Sequence, residues 1–207
     1  MGRHRVYDEA TAGALLDAAE LVLDAEGVSG LTVRRVADRV GVSTRAVYST
    51  LGSKEGLLQE LGVRAYNTLG SMVDALPRTG DPAKDLVAAG VDGFRAFATC
   101  HPGLFRIGIQ LTDVPPVARP HIRAAADHAL ATLLERLERL RAAGLLDSRP
   151  LLAAACQFHA ICEGLAAAEL RGALAHTSHP IDLWVDGLSA LITGWHPADS
   201  QPPSVKR

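Results

Sequence analysis

The sequence predicts an all-α protein of about nine helices, and three observations lead to that prediction. Hydrophobic residues make up 48% of the 207 positions, which is enough for a sizeable core, and Ala and Leu dominate them. Apolar residues recur at spacings of three and four, as they do on one face of a helix. Runs that alternate apolar and polar residues, the pattern of a half-buried strand, are absent from the sequence.

The first helix is predicted from about Tyr7 to Glu26. It carries six acidic residues and no Lys or Arg. Gly27 follows, and glycine commonly marks the end of a helix. The apolar positions lie on one face, which we expect to enter a core, and they are Leu15, Ala18, Ala19 and Leu23.

A helix-turn-helix motif is predicted directly after this helix. Ala37 is followed four residues later by Gly41, so a small residue lies where two helices would cross and a glycine lies where the chain leaves the first of them. Thr32 and Ser43 are good N-cap residues for the two helices. The second helix, Ser43–Thr50, would then lie in the major groove of DNA. A generic antiparallel helix pair is the alternative interpretation.

The distribution of charge favours DNA binding over the generic pair. Residues 27–54 carry one acidic side chain, Asp38, against five basic ones, which are Arg34, Arg35, Arg39, Arg45 and Lys54. The whole chain has a formal net charge of −2, so any affinity for DNA must come from this local basic patch.

At these residues the chain resembles the N-terminal domain of the TetR family of transcriptional regulators. The resemblance covers the first 58 residues firmly, and the remainder in length, helix content and a few short segments. Leu51 stands where the family usually has an aromatic residue, and we expect slightly different packing there. The motifs that carry the resemblance are Glu26-Gly27, Leu31-Thr32-Val33, Val36-Ala37, Gly41-Val42-Ser43, Val47-Tyr48, Ser53-Lys54-Glu55 and Leu57-Leu58.

The resemblance implies a DNA-binding domain in residues 1–52 and a helical ligand-binding and dimerisation domain in residues 53–195. A disordered tail is expected in residues 196–207, which are rich in proline. The implied function is that of a ligand-responsive repressor, a homodimer that binds a palindromic operator on double-stranded DNA. Two alternatives stay open: an activator of the same family, and a ligand-binding and dimerisation protein whose DNA-binding domain is degenerate.

Eight residues are the predicted DNA contacts. Thr44 and Arg45 begin the second helix of the motif and are expected at base edges, because an arginine can bridge O6 and N7 of guanine. The resemblance implies that Tyr48 and Lys54 hold phosphates. The full set is Thr32, Arg34, Ser43, Thr44, Arg45, Tyr48, Ser49 and Lys54.

Six more helices are predicted after the motif, at about residues 53–76, 83–100, 104–111, 117–143, 151–170 and 181–195. The segment 151–170 is apolar or small nearly all round, so it must be buried on more than one side. A second copy of the chain is the simplest partner, because a two-fold interface uses the same surface of each subunit. We therefore predict a homodimer through helices 151–170 and 181–195.

The effector is predicted to be a small, largely hydrophobic molecule. His159 and Glu163 are four residues apart on one helix face and can form a hydrogen bond. They are either a polar anchor in an apolar pocket or a satisfied pair in the core. The candidate ligand-binding residues are Phe94, Phe97, Phe105, Phe158, His159 and Glu163.

Other functional classes receive little support from the sequence. His159, Cys162 and Glu163 have a spacing that a metal can use, but a second group of ligands is not evident, so we expect neither a metal nor a cofactor. A catalytic constellation is not evident either, and we expect that the protein is not an enzyme. Three cysteines without a paired framework predict reduced thiols in the cytoplasm. No run of eighteen uncharged apolar residues occurs, so a membrane span is not expected.

Overall fold

Every regular element in the described part of the chain is a helix, which confirms the all-α prediction. The structure, a computed structural model, describes residues 2–111, 114–176 and 179–196, with side chains from residue 10 onward. The protein is 78% helical, in nine continuous helical stretches within those residues. The expected disordered tail lies outside the described residues, apart from His196.

Two of the nine stretches contain a π-helical segment, in which each turn holds more residues than an α-helical turn. The segment π1 continues α5 into α6, and π2 continues α7. The bounds are α1 Gly2–Gly30, α2 Val33–Val40, α3 Thr44–Leu51, α4 Lys54–Asp74, α5 Pro82–Ala88, π1 Ala89–Arg95, α6 Ala96–Cys100, α7 Pro102–Leu104, π2 Phe105–Ile109, α8 Arg119–Ala142, α9 Leu151–Leu170 and α10 Pro180–Thr193.

The chain divides into two compact units. Unit 1 consists of residues up to 75 together with residues 93–130, and unit 2 consists of residues 76–92 together with those from 131 onward. The predicted domain boundary between residues 52 and 53 stays a prediction.

In unit 1, α1 supports the helix-turn-helix formed by α2 and α3. Gly27 breaks the helical backbone of α1 with a φ of 68°, where the sequence predicts the end of the first helix. The apolar face of α1 enters the core as expected, because Leu15 and Ala19 are fully buried. The helix itself begins at Gly2, earlier than the predicted start at Tyr7, and no proline interrupts the residues between.

The helix α4 packs closely against π2 within unit 1. A Cβ atom added to Gly108 would lie 2.3 Å from the Cβ of Ala65, so only glycine fits at this crossing. We expect Gly108→Ala to lower the free energy of unfolding by about 1–3 kcal/mol, because one of the two helices must move. Denaturant unfolding measures this change.

Gly70 on α4 provides the matched control for that substitution. The nearest atom to an added Cβ there is 3.9 Å away, which is an ordinary contact. Gly70→Ala is therefore expected to be neutral or to stabilise by up to about 1 kcal/mol, because alanine is the better helix former. Equal losses in the two variants would contradict the close packing at Gly108.

Unit 2 is built around α9 and α10, whose facing sides are buried. Trp184 and Leu188 of α10 are fully buried, and the indole N–H of Trp184 donates to Glu169 at 2.9 Å. A Cβ on Gly90 would lie 2.3 Å from Leu188, so π1 also approaches α10 closely.

A buried polar network joins α5 to α8 in unit 2. The carboxylate of Asp85 accepts hydrogen bonds from the backbone N–H of Thr79 at 2.7 Å and from its hydroxyl at 2.6 Å. Arg139 forms an ion pair with the same carboxylate at 2.7 Å. Arg136 is 1% exposed and donates to the carbonyl oxygens of Leu76 and Asp85. The segment between α4 and α5 is thereby fixed to α8.

The helix α9 is unusually apolar for a helix that is only partly buried within the chain. By length and composition alone it is apolar enough to cross a membrane, with a mean hydropathy of 1.4 over 18 residues, although the core helix of a soluble protein passes the same test. That window includes the charged Glu163, and 28% of it is buried within the chain. Much of the surface of α9 is therefore apolar and uncovered in the single chain.

Candidate nucleic-acid interface

The helices α2 and α3 form a helix-turn-helix with both helix starts capped as the sequence predicts. The hydroxyl of Thr32 accepts a hydrogen bond from the N–H of Arg35 at 3.3 Å, and that of Ser43 accepts one from the N–H of Ala46 at 3.2 Å. Gly41 ends α2 with a φ of 78°, a left-handed conformation that favours glycine, and its N–H donates to the carbonyl of Ala37. The local sequence therefore fixes the turn.

The inner sides of the two helices are closed by small and β-branched residues. Val36 is fully buried, and Ala37 and Val47 are each 1% exposed. Because these residues hold α2 against α3, the opposite side of α3 must face away from the protein. The packing leaves that side free for a partner.

Seven of the eight predicted DNA contacts are exposed, and five of them lie at the start and along the outer face of α3. The side chain of Tyr48 is 55% exposed, which is unusual for a ring of this size and leaves its face open. The exposed residues are Thr32, Arg34, Ser43, Thr44, Arg45, Tyr48 and Ser49.

The hydroxyl groups of this surface differ in whether a donor or only acceptors remain for a hydrogen bond with DNA. Those of Thr32 and Ser43 accept the capping bonds, and each keeps an O–H that is able to donate to a phosphate. The hydroxyl of Ser49 instead donates to the carbonyl of Ala46 at 2.8 Å, so its lone pairs remain for an incoming donor. Arg34 lies 3.9 Å from Asp38 in a highly exposed pair, which holds it only weakly.

Lys54, the eighth predicted contact, is half-buried and has a partner within the protein. Its Nζ donates to the carbonyl of Val28 at 3.1 Å, which ties the start of α4 to the end of α1. An ammonium group has three donors, so two remain for a phosphate. The N-terminal turn of α4 contributes further N–H groups that favour an anion.

The predicted ligand-binding residues fall in both units. In unit 1 the rings of Phe94 and Phe105 meet edge to face at 6.2 Å, and Phe97 stacks on His101. In unit 2 Phe158 is 4% exposed. All four phenylalanine rings are buried, and their role as ligand contacts stays a prediction.

His159 and Glu163 form a pair at 3.7 Å on α9, with side chains that are 38% and 36% exposed. Burial lowers the pKa of His159 below its ordinary value, and the negative charge of Glu163 opposes that change. The two side chains lie on the same side of α9, as their spacing predicts, but 3.7 Å is longer than the hydrogen bond that the spacing allows. Whether it serves a pocket stays a prediction.

The thiol and metal chemistry of the described residues is simple. Burial raises the pKa of Cys162, so this thiol is unreactive. Among the side chains of residues 10–111, 114–176 and 179–196, no group of three or more His, Cys, Asp or Glu is placed to hold a metal ion.

One polar cluster in unit 1 could not be predicted from the sequence. Glu20 of α1 meets Arg64 of α4 and His101, which lies between α6 and α7. Glu20 and His101 are 81 residues apart, and no local sequence pattern signals a contact over that distance.

Comparison with known protein families covers both parts of the chain. The family model for bacterial regulatory proteins of the tetR family matches residues 15–61, which include α2 and α3. The model for the tetracyclin repressor-like C-terminal domain matches residues 87–191, about half of the chain. No curated protein sequence matches the chain.

Solved structures share the fold at low sequence identity. A protein of unknown function from Rhodococcus sp. RHA1 has a TM-score of 0.78 at 22% identity, over 90% of this chain and 95% of its own. A tetR-family regulatory protein from Rhodococcus RHA1 has a TM-score of 0.69 at 19% identity, over 91% and 98%. The transcriptional regulator FadR from Bacillus subtilis, solved in complex with stearoyl-CoA, has a TM-score of 0.72 at 16% identity, over 88% and 98%.

The capped helix-turn-helix, the all-helical remainder and the two matching family models agree with one another. The chain belongs to the TetR family of bacterial transcriptional regulators.

Proposed function

We propose that the protein is a ligand-responsive repressor that binds a near-palindromic operator as a homodimer through α3. The observation that carries the proposal is the outer face of α3, where Ser43, Thr44, Arg45, Tyr48 and Ser49 are all exposed on a helix fixed from behind. Exposed side chains on a rigid helix are what recognition in the major groove requires. A degenerate DNA-binding domain would not need to keep this surface.

The residues of this surface divide into two roles in the proposal. Thr44 and Arg45, in the first turn of α3, contact base edges and specify the sequence. Tyr48 and Lys54 contact phosphates and position the helix, together with Thr32 and the other polar residues at the helix starts. Phosphate contacts make binding strongly dependent on salt.

The uncovered apolar surface of unit 2 supports dimerisation through α9 and α10. Small side chains are exposed along both helices, including Ala153, Ala160 and Gly164 on α9 and Ala190 on α10, and they let two backbones approach closely. Leu183 of α10 is 37% exposed, although its neighbour Trp184 is fully buried. A second copy of the chain would cover the apolar surface of α9.

We expect Ala160→Glu to convert the dimer to a monomer. The substitution places a charge on the outward face of α9, where the two-fold interface would bury it. Sedimentation velocity at micromolar concentration measures the change in mass. Ala124→Glu, on the exposed side of α8, is the control with the same change of charge and should stay dimeric. A monomeric wild type, or a dimeric Ala160→Glu, would contradict this interface.

The effector in this proposal is a small, largely hydrophobic molecule. The FadR structure holds an acyl-CoA in the same fold, which makes acyl-CoA esters of several chain lengths the first probes to test. Binding would shift the dimer from a DNA-competent state to one that does not fit the operator. Release of labelled operator on addition of each probe is the assay.

Selection of bound sequences from random duplex DNA, at about 0.15 M salt, tests the function directly. A near-palindrome with half-sites about one helical turn apart, or a multiple of it, is the expected result. Weak binding without sequence preference would instead favour the degenerate domain. The position of the operator relative to the promoter then decides between repressor and activator.

A further inference from the structure

Two carboxylates of α1 hold the turn between α6 and α7 within unit 1. Glu20 Oε1 lies 2.5 Å from His101 Nδ1, and the backbone N–H of Gly103 donates to Asp24 Oδ1 at 2.7 Å. Arg64 of α4 pairs with Glu20 at 3.2 Å. We call these five residues, Glu20, Asp24, Arg64, His101 and Gly103, the α1–α7 junction.

Glu20 is the centre of the junction. Its side chain is only 11% exposed, and a buried carboxylate is stable only when its charge is matched and hydrogen-bonded. Arg64 supplies a charge that persists at every physiological pH. The imidazole of His101 supplies the second partner, and imidazoles gain or lose their charge near neutral pH.

His101 is also held in place by Phe97. Its ring stacks on Phe97, with centroids 5.9 Å apart and planes 30° apart, and its backbone N–H donates to the carbonyl of Phe97. Phe97 is fully buried. The position of the imidazole is therefore fixed by α6, and a shift of α1 would separate it from Glu20.

The two sides of the junction approach each other as closely as their atoms allow. A Cβ atom on Gly103 would lie 2.6 Å from Asp24 Oδ1 and 2.7 Å from Leu23 Cγ. The contact at Gly103 therefore limits how closely α1 and α7 can approach. Because α1 packs directly on α2 and α3, its orientation determines where α3 points.

We propose that His101 is a proton-sensitive positioning residue for operator binding. When protonated, it forms an ion pair with Glu20 and holds α1 in the orientation that presents α3 to DNA. When neutral, it offers only a hydrogen bond, so the orientation of α1 is less well defined. This inference rests on the proposed function and adds a regulatory input to it.

The charges around His101 determine the direction of the effect. Glu20 faces His101 directly from α1 and Asp24 lies close to both, Arg64 of α4 pairs with Glu20 and with Asp17, and Arg106 of π2 lies near Asp24. Three carboxylates against two guanidinium groups leave one negative charge unmatched, and the imidazolium matches it. Operator affinity should therefore be higher at acidic pH, where an imidazole is charged, than at alkaline pH, where it is neutral.

Operator binding by the full chain at about pH 6 and about pH 8 tests the proposal. Wild-type protein is expected to bind at least about fivefold more tightly at the lower pH, the lower end of typical coupling between sites. His101→Asn places an uncharged N–H donor near the position of Nδ1, so its affinity should be the same at both pH values. His101→Ala should bind weakly at both.

His121→Asn is the matched control, because His121 is exposed on α8 in the same unit. It should keep the wild-type response to pH. Thermal unfolding of each variant at both pH values separates a change in operator affinity from a loss of folding, and His101→Asn keeps the test valid if His101→Ala does not fold.

Two results would overturn the inference while leaving the proposed function intact. One is a wild-type operator affinity that does not change with pH, and the other is a pH response that survives in His101→Asn. A wild-type protein that selects no operator at either pH would overturn both the inference and the proposed function.

Discussion

Replacing Arg45 by alanine is expected to abolish the preference for one base pair in each half-site of the operator. Arg45 is exposed in the first turn of α3, and the Ser43 cap fixes the backbone that carries it. A bidentate contact from arginine to guanine contributes about 1–3 kcal/mol of discrimination against the other bases. Affinities for the selected operator and for its single-base variants measure this loss. The variant should retain its affinity for operators that already carry a mismatch at that base pair.

Lys54→Ala is the companion variant, with a different expected pattern. Loss of a phosphate contact should weaken binding to all sequences alike and reduce the slope of log affinity against log salt by about one unit. The bond from Lys54 to the carbonyl of Val28 is lost as well, so thermal unfolding must be measured beside DNA binding. If both variants lost affinity equally at every sequence and with the same salt dependence, the division into base and phosphate contacts would be wrong.

Asp85→Asn is expected to cause the largest loss of stability among the substitutions considered. Asp85 is 4% exposed and accepts hydrogen bonds from both the N–H and the hydroxyl of Thr79, as well as pairing with Arg139. An asparagine places an NH2 group against one of these donors and removes the negative charge beside Arg139. Breaking a buried pair from one side typically costs about 3 kcal/mol or more. Denaturant unfolding at neutral pH measures the loss.

Asp81→Asn, four residues earlier, is the matched control. Asp81 caps α5 by accepting a hydrogen bond from the N–H of Lys84 at 3.1 Å, and its side chain is partly exposed. Asparagine caps a helix about as well as aspartate, so the expected change is less than about 0.5 kcal/mol. Similar losses in the two variants would show that the network around Asp85 does not stabilise unit 2 specifically.

Lowering the pH should reduce the difference in unfolding free energy between Asp85→Asn and the wild type. Burial raises the pKa of Asp85, but the hydrogen bonds from Thr79 and the pair with Arg139 outweigh it, so the pKa lies below its ordinary value. A carboxyl whose pKa is lowered by folding contributes stability above its unfolded pKa, about 3.9, and that contribution is lost as the pH falls through the folded pKa. The difference in unfolding free energy should thus be constant above about pH 5 and shrink below about pH 4.

The parts of the structure that follow from short stretches of sequence could be predicted. Thr32 and Ser43 cap their helices, Gly41 adopts the left-handed conformation, and Gly27 breaks the first helix. Each depends on hydrogen bonds or backbone angles within a few residues, so the local sequence is sufficient. The exposure of Arg45 and the other residues of α3 follows from the same pattern, because the apolar stripe determines which side is buried.

The features that could not be predicted depend on contacts between distant residues. Asp85 meets Arg139 across 54 positions, and Glu20 meets His101 across 81. A single sequence shows that these residues are charged but does not show which of them meet. The hydrogen bond from Lys54 to the carbonyl of Val28 likewise joins residues that are 26 positions apart, so no local pattern signals it.

The π-helical segments explain how the interior of unit 1 could change during evolution. Phe94 lies in π1 and Phe105 in π2, and their edge-to-face contact joins the two segments. A π turn contains one residue more than an α turn, so deleting a single codon in either segment would restore a regular helix. A π turn with its extra residue rotates the chain by about the same angle as an α turn without it, so the side chains beyond the deletion would keep the faces that they occupy now. One short deletion would thus alter only the wide turn that carries Phe94 or Phe105, while the rest of that helix and the helix-turn-helix, which lies elsewhere in the sequence, would be left unaltered.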